Sequence, residues 1–148
     1  MNTRLMNDTF RLLHEEWSPI AGIVMDVPCH DLNRLIRVLG PHQLEPKRQT
    51  VLLALYSLLY MAQERHRDCS FHDPDLTRNI LDGDYLYSLY LQVAVKYEET
   101  DLVSYLAPVL KRQKIALAEG RMIDEDLTVH FDTFLCNEYK HKQAGKAM

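Results

Sequence analysis

Two stretches of this chain contain no charged residue: residues 50–63 (TVLLALYSLLYMAQ) and residues 85–95 (YLYSLYLQVAV). At helical spacing neither has a polar side, whereas a surface helix keeps an apolar stripe inward and a polar face outward. In the second stretch Tyr85, Leu89 and Gln92 form one row, Leu86, Tyr90, Val93 and Tyr97 another, and Tyr87, Leu91 and Ala94 or Val95 a third. Both segments therefore have to be surrounded. A chain of 148 residues makes one ordinary domain, and a bundle of that size can enclose one central helix but is strained to enclose two. Burying each large apolar side chain is worth roughly 1.5 to 3 kcal/mol. The pattern accordingly points to a partner subunit, or to an apolar ligand, covering what the chain cannot cover itself.

The remaining sequence is also helical in spacing. Leu5, Phe10, Leu13 and Trp17 mark a first helix stopped by Ser18-Pro19, since proline disfavours helical geometry in the residue before it. Residues 18–29 read as a connection. Asp31 is expected to cap a short helix through Leu32, Leu35, Ile36 and Leu39, closed by Gly40-Pro41. Pro46 suits the first turn of a longer helix reaching about Arg67. Asp75 is expected to cap the next, which Gly83 interrupts or bends. Thr100 or Asp101 starts another, kinked by Pro108 and ended by Gly120. A last helix is expected from Asp124, with Leu127, Phe131, Phe134 and Leu135 on one face. The fold expected is an all-α bundle of six or seven helices, with residues 1–142 as one domain and residues 143–148 as a mobile tail.

With 21 acidic against 17 basic side chains, net −4, the whole molecule has no general attraction for nucleic acid or anionic lipid. The basic spots Lys47-Arg48, Lys111-Arg112 and Lys140-His141-Lys142 read as solvated charge. Cys29, Cys69 and Cys136 are far apart and form no Cys-x-x-Cys pair, which suits reduced thiols in a cytoplasmic protein. Cys136, beside Leu135, reads as a small buried apolar residue. The first eight residues carry no apolar signal core, and no run approaches the ~18 to 20 apolar residues of a membrane span.

Catalytic and metal chemistry find little support. His66, Cys69 and His72 offer a single thiolate at a spacing unlike common zinc sites, with Arg65 and Arg67 opposing a cation. The pairs Asp73/Asp75 and Asp82/Asp84 are two apart, so on a helix neither pair shares a face. No catalytic residue and no metal site are expected in this chain.

The stretch Ile80-Leu-Asp-Gly-Asp-Tyr-Leu-Tyr-Ser-Leu-Tyr90 resembles the Gly-Asp-Tyr, then Ser and Tyr, pattern that opens a mid-chain helix in the small, non-catalytic subunit of two-component hexaprenyl and heptaprenyl diphosphate synthases. Leu110-Lys-Arg-Gln-Lys-Ile-Ala-Leu-Ala-Glu-Gly-Arg-Met122 is similar to the helix that follows it, and the resemblance spans residues 50–122. It implies a truncated isoprenoid-synthase-like fold. Residues 58–68 occupy the place where catalytic relatives carry their first aspartate-rich motif. Here that place holds Gln63-Glu-Arg-His-Arg-Asp68, two carboxylates with arginines between them. Ionising an allylic diphosphate needs Mg²⁺ held by clustered carboxylates on facing helices.

The resemblance therefore implies a regulatory subunit, inactive alone. Its partner is a large catalytic subunit that holds Mg²⁺, an allylic primer and isopentenyl diphosphate, and the pair makes the side chain of a menaquinone-type quinone. Tyr56, Leu59, Tyr60, Tyr85, Leu86, Ser88, Leu89 and Gln92 are the residues expected at the subunit interface and beside the growing prenyl chain, where they help set product length. A stand-alone helical adaptor and a small helical lipid carrier are the alternatives.

Overall fold

The computed structural model describes residues 3–147 apart from 68 and 122–124. These residues form six α-helices: α1 (Thr3–Glu16), α2 (Cys29–Leu39), α3 (Pro46–Arg67), α4 (Leu76–Lys96), α5 (Thr100–Ala118) and α6 (Leu127–Ala147), with short 3-10 turns at Pro19–Ala21 and Gly40–His42. There is no strand among them, and no helix is long and apolar enough to cross a membrane.

Helix α3 is the axis of the bundle. Every residue from 50 to 59 is buried, as are Met61 and Ala62. It packs on α1, α2 and α4, meets α6 where the Tyr56 and Phe131 rings stand edge to face with centroids 5.9 Å apart, and meets α5 where Gln63 donates to Gln113 across 2.5 Å. The other five helices thus surround the first charge-free stretch. Its buried aliphatic hydroxyls are satisfied within the helix: Thr50 donates to the Pro46 carbonyl and Ser57 to that of Leu53.

Helix α4 behaves differently. Gly83, Leu86, Leu89, Tyr90, Val93 and Ala94 are buried, a stripe at three- and four-residue spacing turned toward α3. Ser88 and Gln92 are exposed, and Leu81 and Val95 are 60% and 66% exposed. The expectation that both stretches are enclosed thus holds for α3 alone; α4 is one-sided, and from residue 85 to residue 95 its outer face is uncharged rather than buried.

Gly83 neither interrupts nor bends α4, which runs unbroken from Leu76 to Lys96. Its role is close approach. A Cβ at this position would lie 2.4 Å from both Cδ2 and Nε2 of His66, and the same imidazole is 3.0 Å from the Asp84 carboxylate. The next residue, Tyr85, accepts a hydrogen bond from the Ser18 backbone N–H at 2.9 Å. Gly83, Asp84 and Tyr85 together lock α4 to the end of α3 and to the turn after α1. Adding a methyl to a filled contact costs about 1–3 kcal/mol, while alanine gains about 1 kcal/mol over glycine in a helix. Gly83→Ala is therefore expected to lower the urea midpoint modestly, and in a His66→Ala background the same change is expected to raise it. Stabilisation in both backgrounds would show that the imidazole does not impose the glycine.

Helix ends also differ from expectation in part. The α5 stop at Gly120 is as expected: its φ is 71°, and the N–H groups of Gly120 and Arg121 donate to the carbonyls of Leu117 and Ala116, the paired bonds of a Schellman motif. Glu98 (φ 60°) does the same after α4, with Glu98 and Glu99 donating to Val95 and Ala94. Pro108 lies inside an α5 that continues through it. Asp31 is not the cap of α2, which begins at Cys29 after Pro28, and the Asp75 side chain makes no capping bond. The expected start at Asp124 lies outside the described residues. The observed cap of α6 is Asp126, whose carboxylate accepts from the N–H and hydroxyl of Thr128 at 2.9 and 2.7 Å. Residues 143–147, expected as a tail, are helical in α6.

Lys47-Arg48 is likewise not simply solvated charge. Arg48, in the first turn of α3, donates to both oxygens of Glu99 (2.7 and 3.2 Å) and of Glu138 (2.5 and 2.7 Å). This guanidinium fork ties the start of α3 to the α4–α5 corner and to α6.

Candidate functional site

Beyond Leu59 the bundle opens around α3. Leu59, Ala62, Tyr87, Leu110 and Leu117 line the apolar part of a cavity of about 140 Å³, and His66, Arg67, Lys114, Arg121 and Glu125 stand among its polar walls. Most of the polar groups are engaged, although Glu125 Oε2 is buried without a hydrogen-bond partner. Arg67 bonds Glu64 at 2.7 Å, Arg121 bonds Glu119, Arg112 reaches Glu125 at 3.3 Å, and Lys114 Nζ sits 4.4 Å from the centre of the Tyr87 ring. The result is an apolar slot rimmed by paired charges, not an open field for a highly charged ligand.

A more open groove of about 350 Å³ adjoins it, lined by Asp31, Arg34, Tyr56, Tyr60, Glu64 and Asp126 among others. Arg34 crosses from α2 to bond Asp126 at 3.1 Å, which joins the α6 cap to this groove. Burial, then the Asp31 carboxylate, pushes the Tyr56 phenol up to about 12. Burial also raises that of Tyr60. Both stay neutral at physiological pH and act as hydrogen-bonding, apolar-bodied walls.

The expected interface residues separate into three groups. Tyr56, Leu59, Leu86 and Leu89 are core residues, no more than 3% exposed, and so form no outer surface, although Leu59 and Tyr56 border the cavity and the groove respectively. Tyr60 and Tyr85 are half-buried, on the groove and on the Ser18 bond respectively. Ser88 and Gln92 alone of the set are exposed. The set thus does not come together as one surface. The large residues of α4 that follow Gly83 at three- and four-residue steps are the buried ones. What concealed the division is that its opposite side carries Ser, Gln and Val in place of charge.

In the segment that the resemblance would set against the first aspartate-rich motif, Glu64 is tied to Arg67, and Asp68 lies outside the described residues. A carboxylate held by a guanidinium does not fit the first shell of Mg²⁺, which asks for free oxygen ligands. Cys136, expected in the core, is exposed on α6.

No family model matches this chain, and neither the curated proteins nor the solved structures contain a match.

Proposed function

We propose that this chain is the non-catalytic, regulatory subunit of a heterodimeric trans-prenyl diphosphate synthase, pairing with a large Mg²⁺-bearing catalytic subunit that elongates an allylic diphosphate for a quinone side chain. The observation that carries the reading is the outer face of α4. It begins within the stretch that resembles the family, and from residue 85 to residue 95 it presents Ser88, Gln92 and Val95 to solvent without one charge. An uncharged helix face of this kind fits the depleted charge of an interface core.

The size of the cavity supports a wall rather than a container. About 140 Å³ is comparable to a cavity that holds one benzene-sized group, whereas sites for drug-sized ligands run from about 300 to 1,000 Å³. This cavity can border the end of a growing prenyl chain but is too small for a whole lipid, and the adjoining groove of about 350 Å³ is lined largely by charged and tyrosyl side chains, which suits an apolar tail poorly and disfavours the carrier alternative. On this reading the Gly83-Asp84-Tyr85 signature serves to set the pitch of α4 against α3, so that its outer face is presented in a fixed orientation.

Mixing the chain with an aspartate-rich catalytic subunit from the same genome should give a heterodimer by sedimentation velocity. Ser88→Arg places a charge in the proposed interface while leaving the exposed monomer face soluble. It is expected to weaken the heterodimer at least about tenfold, or 1.4 kcal/mol, with an unchanged melting temperature of the isolated chain. Undiminished association of the variant would remove α4 from the interface.

A further inference from the structure

His42, Asp132 and Cys136 meet from opposite ends of the sequence. His42 closes the 3-10 turn Gly40–His42, and its side chain is only 14% exposed, so the turn holds the imidazole in place. Asp132 and Cys136 stand one turn apart on α6, where residues four apart share a face. The imidazole nitrogen, a carboxylate oxygen and the Cys136 sulfur all lie within 4.8 Å of one another, with His42 Nε2 2.7 Å from Asp132 Oδ1.

A pairing of imidazole with carboxylate accounts for two members of this group; the thiol beside them is what a metal would add a use for. Zinc bonds of about 2.0–2.3 Å in tetrahedral geometry set ligand atoms roughly 3.3–3.8 Å apart, inside the 4.8 Å that encloses all three ligand atoms here. We propose that His42, Asp132 and Cys136 form a three-ligand site for zinc, completed by water. Thiolate and imidazole select a borderline-soft ion over magnesium or calcium, and the half-exposed Asp132 carboxylate (49%) leaves the fourth position open to solvent. The ion would join the turn after α2 to α6, the helix on which α2 itself packs, and its binding would release the thiol proton. Linear spacing could not announce such a site, since His42 and Asp132 are 90 residues apart.

Cobalt(II) titration of the full chain tests this. A one-to-one thiolate-to-cobalt charge-transfer band, displaced by zinc, is expected in the natural chain and in the Cys29→Ser/Cys69→Ser variant. It should vanish in Cys136→Ser, and Asp132→Asn should weaken cobalt binding by more than the roughly tenfold that even an outer-shell partner is worth. A variant-free measurement runs alongside: zinc should slow iodoacetamide alkylation of Cys136, mapped by mass spectrometry. No band in the natural chain, a band that survives in Cys136→Ser, or alkylation of Cys136 indifferent to zinc would each overturn the proposal.

Discussion

Arg48→Met is expected to destabilise the fold by about 3 kcal/mol or more, measured by urea unfolding, because it strips the partner from a carboxylate that cannot return to water. Glu99 is 7% exposed and Glu138 25% exposed, and both are held by one guanidinium. Removing one member of a buried ion pair typically costs about 3–5 kcal/mol, whereas replacing all members by apolar groups of similar volume is often close to neutral. The triple variant Arg48→Met/Glu99→Leu/Glu138→Leu should therefore recover much of the loss. The Arg48 guanidinium also holds the Glu138 carboxyl below its ordinary range. A group whose folded pKa is depressed contributes stability above its unfolded pKa and loses it as pH falls through the folded one. Stability of the natural chain should decline below the ordinary glutamate range, about pH 4.3, and Arg48→Met should flatten that decline. A variant that melts like the natural chain at pH 7 would show the triad to be a surface decoration.

Leu89→Glu is expected to leave no folded monomer at all. Leu89 faces the interior at 3% exposure beside Leu86 and Tyr90, which are fully buried. A carboxylate there must either ionise without solvent or take up a proton; either course adds several kcal/mol to the lost packing. Against a total stability of 5–15 kcal/mol for an ordinary domain, that consumes most or all of the margin. Circular dichroism at neutral pH should show collapse of the helical signal, with partial recovery in acid as the new carboxyl is neutralised. A folded Leu89→Glu chain that merely fails to bind a partner would mean instead that α4 presents its Leu86–Leu89 side outward and that the packing described for α3 and α4 is wrong.

The contrast between Leu89 and Ser88 shows how far the residues alone carry the argument. Helix number, the long α3 opened by Pro46 and the Gly120 stop were legible because proline and glycine act locally, through a fixed φ, a missing N–H and the left-handed region. The division of α4 was not. Its outer side is written in serine, glutamine and valine, and periodicity distinguishes faces only when polarity does. Arg48 looked like a surface cation because its partners lie 51 and 90 residues away, and the same separation hid the His42 and Asp132 pair. Gly83 was visible as an exception within a helix, but its cause, a histidine ring from α3, belongs to tertiary contact. The cap of α6 fell two residues after the expected Asp124, because any aspartate of the Asp124-Glu125-Asp126 run satisfies the rule and only the Thr128 hydrogen bonds choose among them.

These placements also change what the apolar content of the chain means. Half of the original puzzle, α3, is solved inside the bundle and calls for no partner. The other half narrows to one face of α4 and a small slot beside Leu59 and Tyr87. In the proposed role the chain contributes a surface and a wall, while all ionising chemistry belongs to the subunit it joins.

The most direct measurement is prenyl elongation itself: isopentenyl diphosphate and farnesyl diphosphate incubated with Mg²⁺ and the catalytic subunit, with this chain, or with both, and the products resolved by chain length. The proposal requires that neither protein alone elongates the primer and that the mixture does, giving a product of defined length. A catalytic subunit fully active by itself, with the same product distribution whether or not this chain is added, would contradict it.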